Sequence, residues 1–332
     1  MNFLPGIPYW IWAIAFFLLF TILNLRGIKT SARINRDLAI GMGVVIAIFF
    51  VAAMRYILRT PHDGLSFFTL PFYDPHTFRF RSLLGGTSLA VLTYIGFDGI
   101  STLSEEVENP KRNILLGTVL TCIIIGVLSA LQVYFGQLIW PHGLPFPDLD
   151  TAFVYVAGRA TGPWFFLVMN LTLMVASAGA GMAAQLGAAR LLFAMGRSDA
   201  LPRSFFGKVD PKHRIPRNNV ICVGVVALLG AFLVSYSLGA EMLNFGALIA
   251  FMGVNAASLM HYYVRARPRK ISNLVPPLLG GLICFLLWIN LSRPAIIAGV
   301  IWMAAGTCLG AWRTHGFRAD LVNFDVPAEV AD

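Results

Sequence analysis

The sequence Tyr94-Ile95-Gly96-Phe97-Asp98-Gly99-Ile100 sets two glycines and an acid near the middle of a long apolar segment. An ionised carboxylate is costly in hydrocarbon and rarely faces lipid. Glycine has no Cβ and lets a helix open, and backbone groups freed at membrane depth must line a cavity or be buried in protein. The pattern predicts a membrane-spanning helix that is broken at Gly96–Gly99 beside a substrate path.

Asp98 has two interpretations. Its carboxylate could hold a cationic amine together with the freed carbonyls around Gly96, with Phe97 closing over the substrate. It could instead cap the second half of the broken helix by accepting backbone N–H bonds. The two roles are compatible, and the residues alone leave the choice open.

The composition is that of a polytopic all-α membrane protein. Only 12% of the 332 residues are charged and 57% are hydrophobic, whereas a soluble globular protein has about 25% charged residues. About nine apolar segments have the length of roughly 20 residues that a helix needs to cross a bilayer. They lie near Tyr9–Leu25, Leu38–Leu58, Leu83–Leu103, Ile114–Ile139, Trp164–Leu192, Val220–Tyr236, Met242–Tyr263, Leu274–Leu291 and Ala295–Trp312.

The distribution of positive charge predicts the orientation of these spans. Most of the 25 lysines and arginines fall in the loops on one side, which the positive-inside rule assigns to the cytoplasm. The N-terminus is then outside and the C-terminus inside. We expect one transmembrane domain over residues 1–312 and a disordered cytoplasmic tail over residues 313–332. The net charge of +9 is a topology signal on this interpretation, so nucleic-acid binding is not expected.

Charged residues near the span ends are candidate gates. Glu105 and Glu106 end the broken span just before Pro110. They could pair with arginines of neighbouring loops, such as Arg190, in a cytoplasmic gate, or they could form a solvated turn. Glu241, at the outer end of the seventh span, is either an interface residue or part of an outer gate.

Small residues fill the middle of the fifth span, from Ser177 through Gly179 and Gly181 to Gln185. Small side chains let helices approach closely in lipid. The alternative is that they make room for substrate opposite Phe97. Gln185 and Asn170 are polar at membrane depth and could serve either packing or the path.

Enzyme, metal and cofactor motifs are missing from the sequence. It contains no His-Glu-x-x-His, no Gly-x-Ser-x-Gly and no phosphate-binding loop. The four cysteines lie in apolar spans without metal-ligand spacing. We therefore expect a protein that is not an enzyme and has no cofactor, with the lipid bilayer and a small molecule as its partners.

Three segments resemble the amino acid–polyamine–organocation (APC) permeases. The run from Tyr94 to Asn113 resembles the sixth span of that family and the loop that follows it. The run from Ala188 to Pro202 is similar to the eighth span and its cytoplasmic loop, and the run from Asn24 to Asn35 to the loop between spans four and five. The glycine–phenylalanine–acid run resembles putrescine and amino acid importers within the family.

The resemblance implies a LeuT-like inverted-repeat transporter fold with substrate held at the breaks of spans one and six, usually with proton coupling. By position, Gly96, Phe97 and Asp98 match the site in span six, beside Gly99, and Gly179 falls where some members place a bulky site residue. The first apolar segment matches the fourth span of the family, so we expect spans one to three to be missing. Some members of the family carry a proton-linked lysine in span five. The matching position in this chain is near Met42, which has no ionisable group.

These inferences predict a secondary active transporter of amino acids or small polyamines in the cell (inner) membrane. Transport would be proton-coupled and would proceed by alternating access around Gly96–Gly99. The alternative is a transport-incompetent truncated permease, or a membrane binding module that needs a partner.

Overall fold

A computed structural model describes residues 8–26, 32–62, 64–103, 107–141, 143–210 and 215–316. All regular elements within these ranges are helices. The α-helices are α1 Tyr9–Leu25, α2 Ala32–Arg59, α3 Gly64–Thr69, α4 Phe80–Ala90, α5 Pro110–Ile139, α6 Ala152–Thr161, α7 Pro163–Arg197, α8 Arg203–Phe206, α9 Arg217–Leu233, α10 Tyr236–Leu259, α11 Val275–Ile289 and α12 Arg293–Arg313.

The predicted spans correspond to these helices. In the described part of the chain, seven helical segments are long and apolar enough to cross a membrane. The two remaining predicted spans are α1 and α9, apolar helices of 17 residues each. This is an all-α polytopic architecture, as the composition indicates.

Three short α-helices were not predicted, α3, α6 and α8. They lie between the predicted spans, and six, ten and four residues are too few to cross a bilayer. The predicted tail lies outside the described residues from residue 317 onward, and α12 ends at Arg313.

The helices belong to two compact units, of which the first comprises Met1–Ala47, Trp164–Ser235 and Met303–Asp332. Within it, α1 packs along α9. Gly224 of α9 allows this approach, because a Cβ there would lie 2.7 Å from Nε2 of Gln185 on α7 and 2.9 Å from Oγ1 of Thr21 on α1. Three helices therefore meet at a point where only glycine fits.

The second unit comprises Ile48–Pro163 and Tyr236–Trp302. Its centre is the packing of α10 against α11 around the buried side chains Phe245, Leu248, Leu287 and Leu291. The short α4 rests on this pair. The Ser88 hydroxyl of α4 donates to the Leu287 carbonyl at 2.8 Å, and Nδ2 of Asn244 donates to the Ser88 carbonyl at 2.9 Å. These bonds anchor the helix that leads into Gly96–Gly99.

Candidate functional site

The span that begins with α4 is interrupted at the predicted position. After α4 ends at Ala90, the chain forms a 3-10 turn over Val91–Thr93, an irregular turn, and a second 3-10 segment over Phe97–Leu103. Gly96 lies between them with φ of 119°. A residue with a Cβ is strained in this conformation, so Gly96 is the pivot between the two arms of the broken span.

The carboxylate of Asp98 folds back over this pivot. Its Oδ1 accepts the Gly96 N–H at 3.1 Å, and the side chain is exposed. A helix N-cap would accept an N–H from residues ahead of it, whereas this bond reaches back to the residue before the second arm. Asp98 therefore closes the turn and still presents a carboxylate at the surface of the break.

Phe97 attaches the second arm to α10. Its half-buried ring packs on the ring of Phe251, with centroids 5.4 Å apart and an angle of 33° between the planes. Gly99 is exposed, and its N–H donates to the Gly96 carbonyl at 3.1 Å. The four predicted residues Gly96 to Gly99 thus form one turn, in which Phe97 contacts α10 and the segment that begins at Phe97 packs along α5.

Two glycines of α5 face this turn, and the sequence interpretation missed both. A Cβ on Gly126 would lie 2.5 Å from the Tyr94 hydroxyl oxygen, and a Cβ on Gly117 would lie 3.6 Å from Cγ2 of Ile100. Tyr94 precedes the pivot and Ile100 follows it. In the sequence, Gly117 and Gly126 look like any other glycine of a membrane helix, so no local pattern indicates that they lie beside the break.

Gly179 lies in the first unit, on α7. It is exposed, and a Cβ there would meet nothing within 4 Å. The position therefore has room for the bulky residue that some family members place there. A role for Gly179 in substrate binding stays a prediction.

Gln185, in contrast, is bonded to neighbouring helices of the first unit, and it also lines the cavity between α1, α7 and α9. Its Nε2 donates to Oγ1 of Thr21 at 3.0 Å and to the Val220 carbonyl at 3.1 Å, and its Oε1 accepts from Nδ2 of Asn24 at 3.0 Å. All three side chains are buried. These three hydrogen bonds form a buried polar network that joins α1, α7 and α9.

The predicted gate residues have separate surroundings. Oε2 of Glu241 accepts the Ser292 N–H at 3.3 Å and also the Ser292 hydroxyl, so it holds the start of α12 against α10. Arg190 is exposed on α7. Glu105 and Glu106 lie outside the described residues. A gating function for these four stays a prediction.

The described residues form a large cavity within each unit, and Asp98 is not among the residues that line either of these two. The cavity of the first unit, about 950 Å³, lies between α1, α7 and α9 and is lined mainly by aromatic and aliphatic side chains. The cavity of the second unit, about 660 Å³, lies between the loop after α3 and the ends of α5 and α6. Within the described ranges, His, Cys, Asp and Glu do not form a group of three that could hold a metal ion.

The loop before α6 is ordered by one acid, Asp148. Its Oδ2 accepts the Thr151 hydroxyl at 2.7 Å and its Oδ1 accepts the Asp150 N–H at 3.1 Å. These two bonds hold the pKa of Asp148 below its ordinary value. Both partners lie within the same loop, so Asp148 is a feature of that loop.

Comparison with known proteins gives one consistent match. The family model described as amino acid permease matches residues 4–307. The low-affinity putrescine importer PlaP of Escherichia coli (strain K12) is 33% identical over an alignment of 332 positions, which covers 97% of this chain and 72% of that protein.

More distant relatives carry other names. The methylthioribose transporter of Bacillus subtilis (strain 168) is 27% identical over 87% of this chain and 61% of its own length. The vacuolar cationic amino acid transporter 4 of Arabidopsis thaliana is 29% identical over 74% of this chain and 40% of its own length.

The family match covers most of the chain, and it falls on helices of which seven have the length and composition of membrane spans. It agrees with the resemblance seen in the runs at Tyr94 and Ala188. The chain therefore belongs to the amino acid permease family of the APC superfamily, as a multi-pass transporter of the inner membrane and not an enzyme.

Proposed function

We propose that this permease transports a small organic cation, a diamine such as putrescine or a cationic amino acid, and that Asp98 is its ionic contact. The supporting observation is the exposed Asp98 carboxylate at the pivot of the broken span. A carboxylate that pairs with an ammonium group where water is scarce gains more than it would in bulk water. The named function of the PlaP relative agrees with this substrate class.

The backbone at the break favours the same charge. The first arm ends at the break, and the C-terminal end of a helix carries partial negative charge. An ammonium group at the break would meet this helix end and the Asp98 carboxylate together. Two negative features at one point select a cation over a neutral or anionic molecule.

The different neighbours of the two arms support alternating access. α4 is fixed to α10 and α11 through Ser88 and Asn244, whereas the second arm packs along α5 and has Phe97 against Phe251. Gly96 lies between them and can change its backbone angles without a Cβ clash. We propose that the second arm moves about Gly96 as the site opens to either side.

We propose proton coupling as the energy source, on the strength of the family resemblance. The position of the proton-linked lysine corresponds to about Met42 of α2, which has no titratable group. A proton route in this chain would therefore use other residues, and Asp98 is the acid at the break.

The test is uptake of labelled putrescine by cells that lack their own putrescine importers and express the full chain. Asp98→Asn keeps the shape and removes the charge, so we expect an initial rate about 10- to 100-fold lower, the equivalent of one charge-assisted hydrogen bond. Asp98→Glu should retain part of the rate. A protonophore added to the same assay should abolish accumulation if the proton gradient drives it.

Asp148→Asn is the matched control, because it removes a carboxylate in an exposed loop of the same unit. It should transport at the wild-type rate, with equal amounts of protein in the membrane. Competition by unlabelled lysine or arginine but not by leucine would support a cation site. Undiminished uptake by Asp98→Asn would contradict the proposed role of the carboxylate.

A further inference from the structure

The side chain of Tyr94 contacts α5 at Gly126, a position that has no side chain. A Cβ on Gly126 would lie 2.5 Å from the Tyr94 hydroxyl oxygen, which is closer than real Cβ contacts come. The next atoms of the ring, Cζ and Cε1, would lie 3.5 and 3.7 Å away, which is ordinary contact. The fit between Tyr94 and Gly126 therefore depends on one oxygen atom and one missing methyl group.

Tyr94 is linked to the Asp98 turn through the backbone. Its carbonyl accepts the Phe97 N–H at 3.3 Å, and its own N–H donates to the Val91 carbonyl at 2.9 Å. Phe97 adjoins Gly96, whose N–H binds the Asp98 carboxylate. A displacement of Tyr94 is therefore passed to the turn that carries the carboxylate, over a distance of four residues.

We propose that the contact of Tyr94 with Gly126 positions the Asp98 turn, and that Tyr94 and Gly126 are positioning residues for substrate binding. The proposal rests on the proposed function at Asp98. The hydroxyl, seated against the bare α5 backbone, sets how close the first arm lies to α5. That distance in turn sets where the Asp98 carboxylate lies relative to the end of the first arm.

If this contact positions the turn, a substitution of Tyr94 should rescue a substitution of Gly126. Gly126→Ala places a methyl group against the Tyr94 oxygen and must displace the ring or α5. Tyr94→Phe removes that oxygen and leaves the methyl group at an ordinary distance from the ring. The double variant should therefore recover what Gly126→Ala loses.

Putrescine uptake kinetics of the full chain test this prediction. We expect Gly126→Ala to raise KM about tenfold, the effect of overpacking at a tight contact. Tyr94→Phe alone and the double variant should remain within about threefold of wild type. Gly136→Ala is the control on the same helix, because its Cβ would make only an ordinary contact of 3.9 Å with Cγ1 of Val156. It should leave KM unchanged.

A second readout does not depend on the substrate. In a chain whose four native cysteines are replaced by serine, Gly99→Cys reports on access to the turn through the rate at which maleimide labels it. Gly126→Ala should change this rate, and Tyr94→Phe should restore it. This result would uphold the positioning contact even if putrescine were not transported, so that failure of the proposed substrate and failure of the contact are told apart.

Two outcomes would overturn the proposal. One is wild-type KM and labelling rate in Gly126→Ala at normal membrane levels. The other is a double variant that is no better than Gly126→Ala in both measurements. Gly126→Ala could also reduce the amount of protein in the membrane. If the double variant then returned to normal membrane levels and kinetics, the defect of Gly126→Ala would be assigned to its clash with the Tyr94 hydroxyl oxygen.

Discussion

At the scale of single residues, the break depends on the backbone conformation of a glycine and on the hydrogen bond that an aspartate side chain accepts from it. Gly96 adopts a φ of 119°, and Asp98 accepts its N–H. The conformation and the hydrogen bond support each other, since the turn brings the N–H to the carboxylate and the carboxylate satisfies an N–H that has left the helix ladder. The substrate interpretation of Asp98 and its backbone interpretation are therefore not exclusive in this structure.

Gly96→Ala should impair transport through strain alone. Open space surrounds the position, so a methyl group meets no neighbour within 4 Å. An L side chain at this φ nonetheless costs about 1–3 kcal/mol, and the turn should relax to another conformation. We expect uptake to fall about tenfold or more, since each 1.4 kcal/mol is a factor of ten.

Gly86→Ala is the control for this variant. Gly86 lies on α4 of the same span, also in open space, but with helical backbone angles. Its uptake should equal that of wild type. Equal uptake by Gly96→Ala and Gly86→Ala would show that the backbone angle of Gly96 is not required.

At the scale of helices, the first unit shows how polar and small residues replace hydrophobicity as the organising force. Lipid is as apolar as the side chains, so burial in protein gains little over exposure to lipid. α1, α7 and α9 instead meet where Gly224 removes a side chain and Gln185 bonds to both neighbours. The amide network specifies which helices pair and at which depth.

Gly224→Ala should destabilise this junction. The added methyl group would lie 2.7 Å from Nε2 of Gln185 and 2.9 Å from Cε2 of Phe17. Overpacking of a tight contact costs about 1–3 kcal/mol, so the detergent-solubilised protein should aggregate at a lower temperature than wild type.

Gly230→Ala on the same helix is the matched comparison, since nothing lies within 4 Å of its Cβ position. It should be neutral or stabilising, because alanine is a better helix former than glycine by about 0.5–1 kcal/mol. If both variants aggregated at the same temperature as wild type, the contact of α9 with α1 and α7 at Gly224 would not be tight.

At the scale of the whole molecule, the decisive quantities are span length and loop charge. Seven helices in the described ranges have the length and hydropathy of membrane spans, and α1 and α9 are apolar helices of 17 residues. Most lysines and arginines fall in alternate loops of the sequence, which predicts that the loop before α6 is outside and the C-terminus inside.

A fluorescent-protein fusion and a phosphatase insertion test this topology. Green fluorescent protein fused after Asp332 should fluoresce, because it folds in the cytoplasm. Alkaline phosphatase inserted in the loop over Trp140–Thr151 should be active, because that loop is predicted to lie outside. The same phosphatase fused after Asp332 should be inactive, and the reverse pattern of activities would invert the orientation.

The sequence by itself determined the spans, the break and the family. Hydropathy is summed over a window of about 20 residues, so α1 has the predicted bounds and the other spans are shifted by a few residues. A glycine beside an acid at mid-span is also a local signal, and the interruption falls where it predicts.

Only the tertiary structure decided which side chains meet. Membrane helices are apolar on all sides, so their pattern does not separate the face that contacts protein from the face that contacts lipid. The contact of Tyr94 with Gly126, the network at Gln185 and the bond of Glu241 to Ser292 join residues that lie 32 or more positions apart or on different helices. Such contacts depend on how whole helices approach one another, and no local property of the chain encodes that distance.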